Sequence, residues 1–355
     1  MKTMRNTHLL AGASVLATMF AAGSLRAETE LSVVTYGGAF ENAVQEAYFK
    51  PYTEANGTEF NFESYDGGLA KLAAMVQANN TTWDIIDLES NDAVAGCDEG
   101  LLEPLDESIL GDTADFIPGA ISDCAVASMI WSTVFAYDKE KLADGPTSIS
   151  DFFDTAKFPG KRGLRKSPKG TLEWALLADG VSKDEVYEVL SSKEGVDRAF
   201  AKLDTIKKDI TWWESGAQAP QLLADGAVVM TQAYNGRIHD AVKNDGSPFV
   251  TVWDGQIYDF EWWGVPAGAP NADEAFELIA YASSPEVVAR LSKYISYAPP
   301  RKSALPLIDD EILSDLPTAE ANFNNAVQID VDFWVDNFDV INKRFQVWLA
   351  QAANS

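Results

Sequence analysis

Histidine, cysteine and positive charge are scarce in this chain of 355 residues. It contains two histidines and two cysteines, and its 27 lysines and arginines are outnumbered by 54 aspartates and glutamates. Only His239 lies beyond the first 27 residues, so a Ser-His-Asp or Cys-His catalytic site has one candidate histidine, with no motif beside it. Walker and G-x-G-x-x-G sequences are also missing. The sequence therefore predicts neither an enzyme nor a cofactor.

The first 27 residues have the layout of a secretory signal peptide. Lys2 and Arg5 precede an uncharged apolar run from 9 to 22, and Ala27 is a small residue where cleavage is expected. That run is too short for a membrane-spanning helix, which needs roughly 20 residues. We therefore expect residues 1–27 to be removed and the protein to reside in the periplasm. Loss of the three basic residues of the leader takes the formal net charge from −27 to about −30, which disfavours a nucleic-acid partner.

Cys97 and Cys124 are the two cysteines, and both lie in the exported part of the chain. An oxidising compartment and an even count favour one disulfide between them. The loop of 26 intervening residues would make this bond worth roughly 3 kcal/mol of stability. The spacing fits no short metal-binding motif, and no metal site is predicted.

Strand and helix patterns alternate in the first third of the exported chain. Apolar strand patterns at 31–36, 60–65 and 83–88 are separated by helical patterns at 39–52 and 69–78. Such a series predicts parallel strands joined by right-handed crossovers, which is an α/β fold. The roughly 328 exported residues exceed what one core usually holds, so two lobes are expected.

The regular alternation ends after the third strand. The β-rich segment 130–137 could run from one lobe into the other, and 142–163 has the composition of a loop. Further on, the patterns are helical at 172–177, 183–190, 195–207, 274–283, 285–294 and 330–350, and extended at 227–230 and 248–253.

Aromatic and acidic residues follow several of the predicted strands. In open α/β sheets, ligands bind beyond the carboxyl ends of the strands. Aromatic rings beside a carboxylate suit an ammonium ligand, through cation–π contacts and ion pairs. The segments concerned are 36–40, 66–68, 89–92, 234–237, 258–263 and 297–301.

Six segments resemble one known family through their order and spacing. They are TYGGAF at 35–40, WDII at 83–86, the stretch from Cys97 to GLLEPLD at 100–106, STVFAY at 132–137, YNG at 234–236 and YAP at 297–299. Across nearly the whole exported chain, they resemble the spermidine/putrescine-binding family of periplasmic solute-binding proteins of ABC transporters.

The resemblance implies a type II periplasmic-binding fold with two lobes. Each lobe would be a mainly parallel sheet flanked by helices, with hinge strands crossing between the lobes. The lobes would close around a small solute, and the closed monomer would dock on an ABC-transporter permease. The predicted lobes are 28–133 with 262–305, and 134–261 with 306–355.

The resemblance also implies ligand-binding roles for individual residues. Tyr36 and Phe40 would line the cleft, Ser90 and Asp92 would lie on the loop after the third strand, Tyr234 would be an aromatic wall, Glu261 would pair with an amine, and Tyr297 would cap the pocket.

Two features depart from a polyamine receptor. The segment 167–173 offers Glu173 as its only acid where that family shows clustered acids, and Arg237 follows the YNG segment. A buried guanidinium is costly beside a polycation but forms a bidentate hydrogen bond with a carboxylate. Two ligand classes therefore stay open: a polyamine, or a short ω-amino acid such as γ-aminobutyrate. In the second, Glu261 would hold the ammonium group and Arg237 the carboxylate, unless Arg237 faces solvent or pairs with Asp259.

Other protein classes stay open beside the solute-binding one. An enzyme of the lyase or transferase kind could retain the same two-lobed cleft, and a catalytic partner placed beside His239 would distinguish it. A receptor for an anion or a metal is a further alternative. An iron receptor would need adjacent tyrosines, and the chain has no Tyr-Tyr pair.

Overall fold

The computed structural model describes residues 30–352, so the predicted signal peptide at 1–27 lies outside the described residues. Within that range, no helix is both long enough and apolar enough to cross a membrane. The strands are β1 (Glu30–Thr35), β2 (Glu59–Ser64), β3 (Ile85–Glu89), β4 (Ala125–Asp138), β5 (Arg162–Arg165), β6 (Ile210–Trp213), β7 (Met230–Tyr234), β8 (Phe249–Gly264) and β9 (Val327–Gln328).

Helices flank these strands throughout the described chain. They are α1 (Gly38–Val44), α2 (Lys50–Asn56), α3 (Ala70–Gln77), α4 (Ser90–Asp98), α5 (Ile149–Phe153), α6 (Thr171–Ala178), α7 (Val186–Leu190), α8 (Lys193–Asp204), α9 (Gln218–Ala224), α10 (Asn235–Lys243), α11 (Ala272–Ala282), α12 (Pro285–Val288), α13 (Asp310–Ser314), α14 (Glu320–Phe323) and α15 (Val331–Ala352).

The strands join into one mixed sheet with the order β2-β1-β3-β8-β4-β7-β5-β6, and β9 pairs with β8. One end of the sheet has three parallel strands, β2, β1 and β3, and the other end has the parallel strands β7, β5 and β6. The long strands β4 and β8 connect the two groups; they run antiparallel to each other, β8 runs antiparallel to β3, and β4 runs antiparallel to β7. The predicted α/β fold, with a mainly parallel group of strands in each lobe, is confirmed.

The first β–α–β–α–β series follows the sequence pattern closely. A π-helical stretch, Gln45–Phe49, joins α1 to α2, so the helical path extends from Gly38 to Asn56. Pro51 is the second residue after this stretch, and it lacks the N–H that a regular helix would donate to the carbonyl of Ala47. This missing donor accounts for the local change from α- to π-helical geometry.

Strands β4 and β8 are the connection between the two lobes. They pair antiparallel along most of their length, from Ala125 opposite Gly264 to Asp138 opposite Phe249. The register shifts between Thr133 and Phe135, where β8 carries a glycine with positive φ, Gly255 at 73°. An extra stretch in one strand bends a ladder locally, so the long strands change direction where they pass from one lobe to the other.

Two large hydrophobic clusters divide the chain on either side of this bend. The first contains residues between Leu31 and Trp131 and between Phe260 and Leu316. The second contains residues from Phe135 to Ile257, and from Val327 to Trp348. Both clusters include residues of β4 and β8, and the boundary between the clusters crosses these two strands. This is the position at which two lobes would be divided. Ile308 belongs to the first cluster, so that cluster extends beyond the lobe boundary predicted at residue 305.

Several predicted elements differ from the structure. The stretch 142–163 predicted as loop contains α5 and the start of β5, and β6 was not predicted. The four-residue β5 carries an arginine at each end, so its sequence has no strand-like alternation. The strand predicted at 227–230 is β7 at 230–234. The segment 258–263 is not a strand end, because it lies inside the 16-residue β8.

The predicted disulfide between Cys97 and Cys124 is present, with the two Cα atoms 5.7 Å apart. It joins the last turn of α4 to the residue before β4. The bond therefore ties a helix of the first lobe to the start of a connecting strand.

Candidate functional site

A cavity with aromatic walls lies between the two groups of parallel strands, beside the connecting strands β4 and β8, and we call it the aromatic cavity. It has a volume of about 40 Å³, room for roughly three water molecules. It is lined by five aromatic residues (Tyr36, Phe40, Trp131, Tyr234, Tyr297), by Met129 and Gly216, by four acids (Asp66, Glu89, Glu214, Glu261) and by two arginines (Arg165, Arg237).

Six of the eight sequence-predicted site residues line this cavity, although they come from distant parts of the chain. They follow β1, lie in the first turn of α1 or of α10, end β7, lie on β8 or belong to the segment after α12. The six residues are Tyr36, Phe40, Tyr234, Arg237, Glu261 and Tyr297.

The aromatic walls are held by ring contacts and backbone pairing. The rings of Phe40 and Tyr297 lie 6.1 Å apart, and those of Trp131 and Tyr234 lie 5.1 Å apart in an edge-to-face arrangement. The segment of Tyr297 is fixed to β4 because Ile130 N donates to Ala298 O at 2.7 Å and Ala298 N donates back at 3.0 Å. Each ring pair therefore joins two separate segments into one apolar wall.

The carboxylate of Glu261 is buried beside these aromatic walls, and one of its oxygens accepts no hydrogen bond from the described residues. It lies within β8, directly opposite Glu89 of β3, and its exposed fraction is 4%. Its Oε1 has no hydrogen-bond partner among residues 30–352. Burial, together with the nearby carboxylates of Asp87, Glu89 and Asp259, raises the pKa of Glu261 well above its usual value. A cation from outside the protein would donate a hydrogen bond to this oxygen and would offset the repulsion from the nearby carboxylates.

Arg237 reaches across the cleft from the first turn of α10. Its Nη1 donates to the carbonyl of Gly37 at 2.9 Å, and its Nη2 donates to the carbonyl of Tyr36 at 3.1 Å. A Cβ on Gly38, whose φ is 61°, would lie only 2.7 Å from Nη1, so this approach requires glycine. The side chain neither faces solvent nor pairs with Asp259. Its buried Nε has no partner within the described part of the chain, which leaves a donor beside the cavity.

Glu89 belongs to a buried ion cluster with Arg165 and Lys169. Arg165 Nη1 lies 2.9 Å from Glu89 Oε1, and Lys169 Nζ pairs with Glu89 Oε2. Burial by itself would raise the pKa of Glu89, but the two cations outweigh it and lower this pKa to about 2. Unlike Glu261, Glu89 already has its positive charges within the protein.

Ser90 and Asp92, the other two predicted site residues, do not line the aromatic cavity. The Ser90 hydroxyl is fully buried; it donates to Asp259 and accepts from Trp262 Nε1 at 2.8 Å. Asp92 accepts from the backbone N–H of Gly68 at 2.9 Å. Ser90 thus supports the hinge strand β8, whereas Asp92 lies at a neighbouring cavity.

This neighbouring cavity, which we call the polar cavity, has a volume of about 410 Å³. It shares Asp66, Glu89, Arg165 and Glu214 with the aromatic cavity, and helix α15 closes one side of it. Its lining is Asp66, Gly67, Gly68, Glu89, Asn91, Asp92, Arg165, Lys166, Ser167, Lys169, Glu214, Phe338, Asn342 and Gln346.

Sequence reasoning missed several residues of the aromatic cavity. Asp66 and Glu89 lie in the segments 66–68 and 89–92, which the sequence analysis gave as candidate ligand-binding segments. From the segment 89–92, however, it selected Ser90 and Asp92 as ligand residues and not Glu89. Trp131 and Met129 alternate along β4, and counting every second residue of that strand would have found them. Arg165 ends the unpredicted strand β5, so no sequence signal pointed to it.

Glu173 and His239 lie outside both cavities. Glu173 is fully buried and accepts hydrogen bonds from Trp334 Nε1 at 2.8 Å and from the Tyr187 hydroxyl at 3.0 Å. His239 is half-buried on α10, 3.9 Å from Asp315. The described residues contain no group of three His, Cys, Asp or Glu side chains that could hold a metal ion.

Comparisons with known proteins identify the family of the chain. The family described as bacterial extracellular solute-binding protein matches residues 47–321. A γ-aminobutyric acid-binding protein of Pseudomonas aeruginosa is 46% identical over 344 residues, covering 97% of each chain. A spermidine/putrescine-binding periplasmic protein of Escherichia coli is 21% identical over 338 residues, covering 91% of this chain and 93% of its own. The solved binding protein MotA of A. tumefaciens, in complex with glucopine, is 32% identical with a TM-score of 0.85, covering 90% of this chain and 100% of its own.

Proposed function

The chain belongs to the bacterial extracellular solute-binding proteins, and from that premise we propose that it captures a short ω-amino acid of the γ-aminobutyrate kind for an ABC importer. The observation that carries this proposal is the buried, unpartnered carboxylate oxygen of Glu261 in an aromatic cavity that also contains the unpartnered Nε of Arg237. One unpaired acid and one arginine with a free donor match a ligand that has one ammonium and one carboxylate group.

The charge balance of the cavity supports a zwitterion. Of its four acids, Glu89 is neutralised by Arg165 and Lys169, while Asp66 and Glu214 are exposed. An exposed carboxylate contributes little binding energy because water screens it. The desolvated wall therefore offers one free negative group, Glu261, and we assign it to the ligand's ammonium.

Arg237 is assigned to the ligand's carboxylate. A guanidinium has five N–H donors, and the carbonyls of Tyr36 and Gly37 take one from each terminal nitrogen. Nε and the remaining terminal donors can form a bidentate contact with a carboxylate. The 46% identical γ-aminobutyric acid-binding relative supports the same ligand class.

A polyamine is the second candidate, and the four acids around the cavity favour it. Against it, a second ammonium would need a second desolvated carboxylate without a cation, and Glu89 does not fulfil this condition. The small volume of the cavity also suits a short ligand better than a triamine.

Capture works by closure of the two lobes in this proposal. The first lobe contributes Tyr36, Phe40 and Tyr297, the second contributes Tyr234 and Arg237, and Glu261 comes from the strand β8 that joins them. A ligand stabilises the closed form only through contacts that the open form lacks. We propose that the closed monomer docks on a membrane permease after export of residues 28–355 to the periplasm, and that it performs no catalysis.

Isothermal titration calorimetry of the exported protein tests the proposal. The panel contains γ-aminobutyrate, putrescine, spermidine, n-butylamine, butyrate and an opine. We expect γ-aminobutyrate to bind tightest, with n-butylamine and butyrate each at least about tenfold weaker, since each lacks one charged group. Tighter binding of putrescine or spermidine would overturn the zwitterion assignment in favour of a polyamine. Binding of the opine alone would reject both amine classes.

A further inference from the structure

Lys169 places an ammonium group inside the cleft. It lies in the loop between β5 and α6, and its exposed fraction is 5%. Its Nζ pairs with Glu89, hydrogen-bonds to Asn91 Oδ1 at 2.5 Å and lies 3.9 Å from Asp259 Oδ2. Three side-chain oxygens contributed by other segments thus surround one cation of the second lobe.

The cluster of Glu89, Arg165 and Lys169 separates the two cavities. Glu89 and Arg165 line both, whereas Lys169 lines the polar cavity alone. A ligand that binds Glu261 in the aromatic cavity and extends along Glu89 into the polar cavity would contact these three side chains. Its second charged group would then meet the cations that already surround Glu89.

Glu89 and Glu261 lie directly opposite each other on β3 and β8. Like charges at opposed positions of neighbouring strands repel, so each carboxylate needs its own cation. Arg165 and Lys169 supply that charge for Glu89, and the ligand's ammonium supplies it for Glu261. This paired arrangement resembles a diamine site in which one of the two ammonium groups belongs to the protein.

We propose that Lys169 acts as a built-in ammonium group, which occupies the second amine position of the cleft and thereby excludes diamines and polyamines. This inference rests on the proposed function, because it explains why a cleft with opposed carboxylates would select a single-ammonium ligand. A diamine would have to displace Lys169 from Glu89, its close ion-pair partner, and leave the buried ammonium only Asn91 and the more distant Asp259. Such displacement is unfavourable, since an unpaired buried charge is strongly destabilising.

Replacing Lys169 by a neutral residue tests the inference. In Lys169→Met, which retains an unbranched apolar side chain, the affinity for putrescine and spermidine relative to that for γ-aminobutyrate should rise at least about tenfold. The matched control is Lys166→Met. Lys166 also lines the polar cavity, but it pairs with the exposed Glu214 instead of Glu89. This control removes the same charge and should leave the affinity ratio within about twofold.

Further variants identify the group that receives the second ammonium. Adding Glu89→Gln to Lys169→Met should abolish the gain, and Lys169→Arg should leave diamines excluded because the positive charge remains. If Lys169→Met does not fold, Lys169→Gln carries the same expectation, since it keeps a donor for Glu89 without the charge. A requirement for Lys169 in folding that neither neutral residue meets would also overturn the proposal.

The outcomes separate this inference from the proposed function. Wild-type protein that prefers γ-aminobutyrate, together with a folded Lys169→Met that gains no affinity for diamines, would overturn the role of Lys169 alone. Wild-type protein that prefers putrescine would overturn the proposed function, whatever the variant does. A diamine gain in Lys169→Met that Lys166→Met shares equally would reveal a general charge effect and contradict the inference.

Discussion

The aromatic cavity and the polar cavity share a wall, but their charged groups are satisfied in different ways. In the aromatic cavity, Glu261 has a buried oxygen without a protein partner, and Arg237 has a buried Nε without one. In the polar cavity, Glu89, Asp92 and Lys169 are all paired or hydrogen-bonded within the protein. Since an unmet buried charge is costly, this difference supports our proposal that the ligand binds in the aromatic cavity.

The presence or absence of a protein cation also explains why the pKa values of the opposed carboxylates Glu89 and Glu261 shift in opposite directions. Burial penalises both, but Glu89 has a pKa lowered to about 2 by its cations, whereas the pKa of Glu261 is raised. Sequence position does not distinguish these two glutamates, because both lie on buried strands. The two glutamates differ because Arg165 and Lys169, which come from the second lobe, pair with Glu89 and leave Glu261 without a cation.

The largest expected effect is at Glu261. Glu261→Gln should weaken γ-aminobutyrate binding by about 100-fold or more, because truncating one partner of a buried charged hydrogen bond costs roughly 2–5 kcal/mol. Calorimetric titration measures the loss. Glu214→Gln makes the same chemical change at an exposed position of the same cavity and should cost less than about twofold. Equal losses in both variants would remove the distinction between buried and exposed acids.

Arg237→Ala should have the next largest effect. Losing its bonds to the carbonyls of Tyr36 and Gly37 weakens closure around any ligand, so the informative quantity is a difference between ligands. Affinity for γ-aminobutyrate should fall about tenfold more than affinity for n-butylamine, which has no carboxylate to lose. Parallel titrations of both ligands measure this difference. If both affinities fall equally, Arg237 only connects the lobes and does not bind the carboxylate.

Proton release on binding should be the third effect. Glu261 has a raised pKa without ligand, and a bound ammonium lowers it, so the complex holds fewer protons than the separate partners. Affinity should therefore rise with pH above the usual titration range of a glutamate, whereas Glu89, with its pKa of about 2, stays ionised throughout. Calorimetry in buffers of different ionisation enthalpy counts the protons. Proton uptake, or an effect unchanged in Glu261→Gln, would contradict this assignment.

The smallest effect is expected in the polar cavity. Asn342 lies on α15 and lines that cavity without contributing to the aromatic one. Asn342→Ala should change γ-aminobutyrate affinity by less than about twofold, because the ligand does not reach it. A loss comparable to that of Glu261→Gln in the same titration would move the ligand into the polar cavity.

The sequence predicted the elements whose patterns are local. Alternation and helical periodicity placed β1 to β3 and the helices between them, and two cysteines in a chain predicted to be exported were enough to predict the disulfide. The strand β5 escaped prediction because Arg162 has no apolar character in the sequence. In the structure its buried guanidinium donates to four backbone carbonyls, of Phe152, Asp154, Phe158 and Gly160.

The site was predictable where a side chain follows a strand and not where its role depends on a distant partner. Tyr36, Tyr234 and Tyr297 were found from their positions and from the family resemblance. Ser90 was selected as a ligand residue, but its hydroxyl is used by Asp259 and Trp262 from β8. Those partners are about 170 residues away along the chain, so no local pattern could have indicated them.

The most direct test of the central claim is a crystal structure of the exported protein with γ-aminobutyrate bound. We predict that the ligand occupies the aromatic cavity, with its ammonium within hydrogen-bond distance of the Glu261 carboxylate and its carboxylate on Arg237. Lys169 should remain paired with Glu89 in that complex. A ligand lying in the polar cavity, or one whose ammonium replaces Lys169 at Glu89 while Glu261 stays without a partner, would contradict the account.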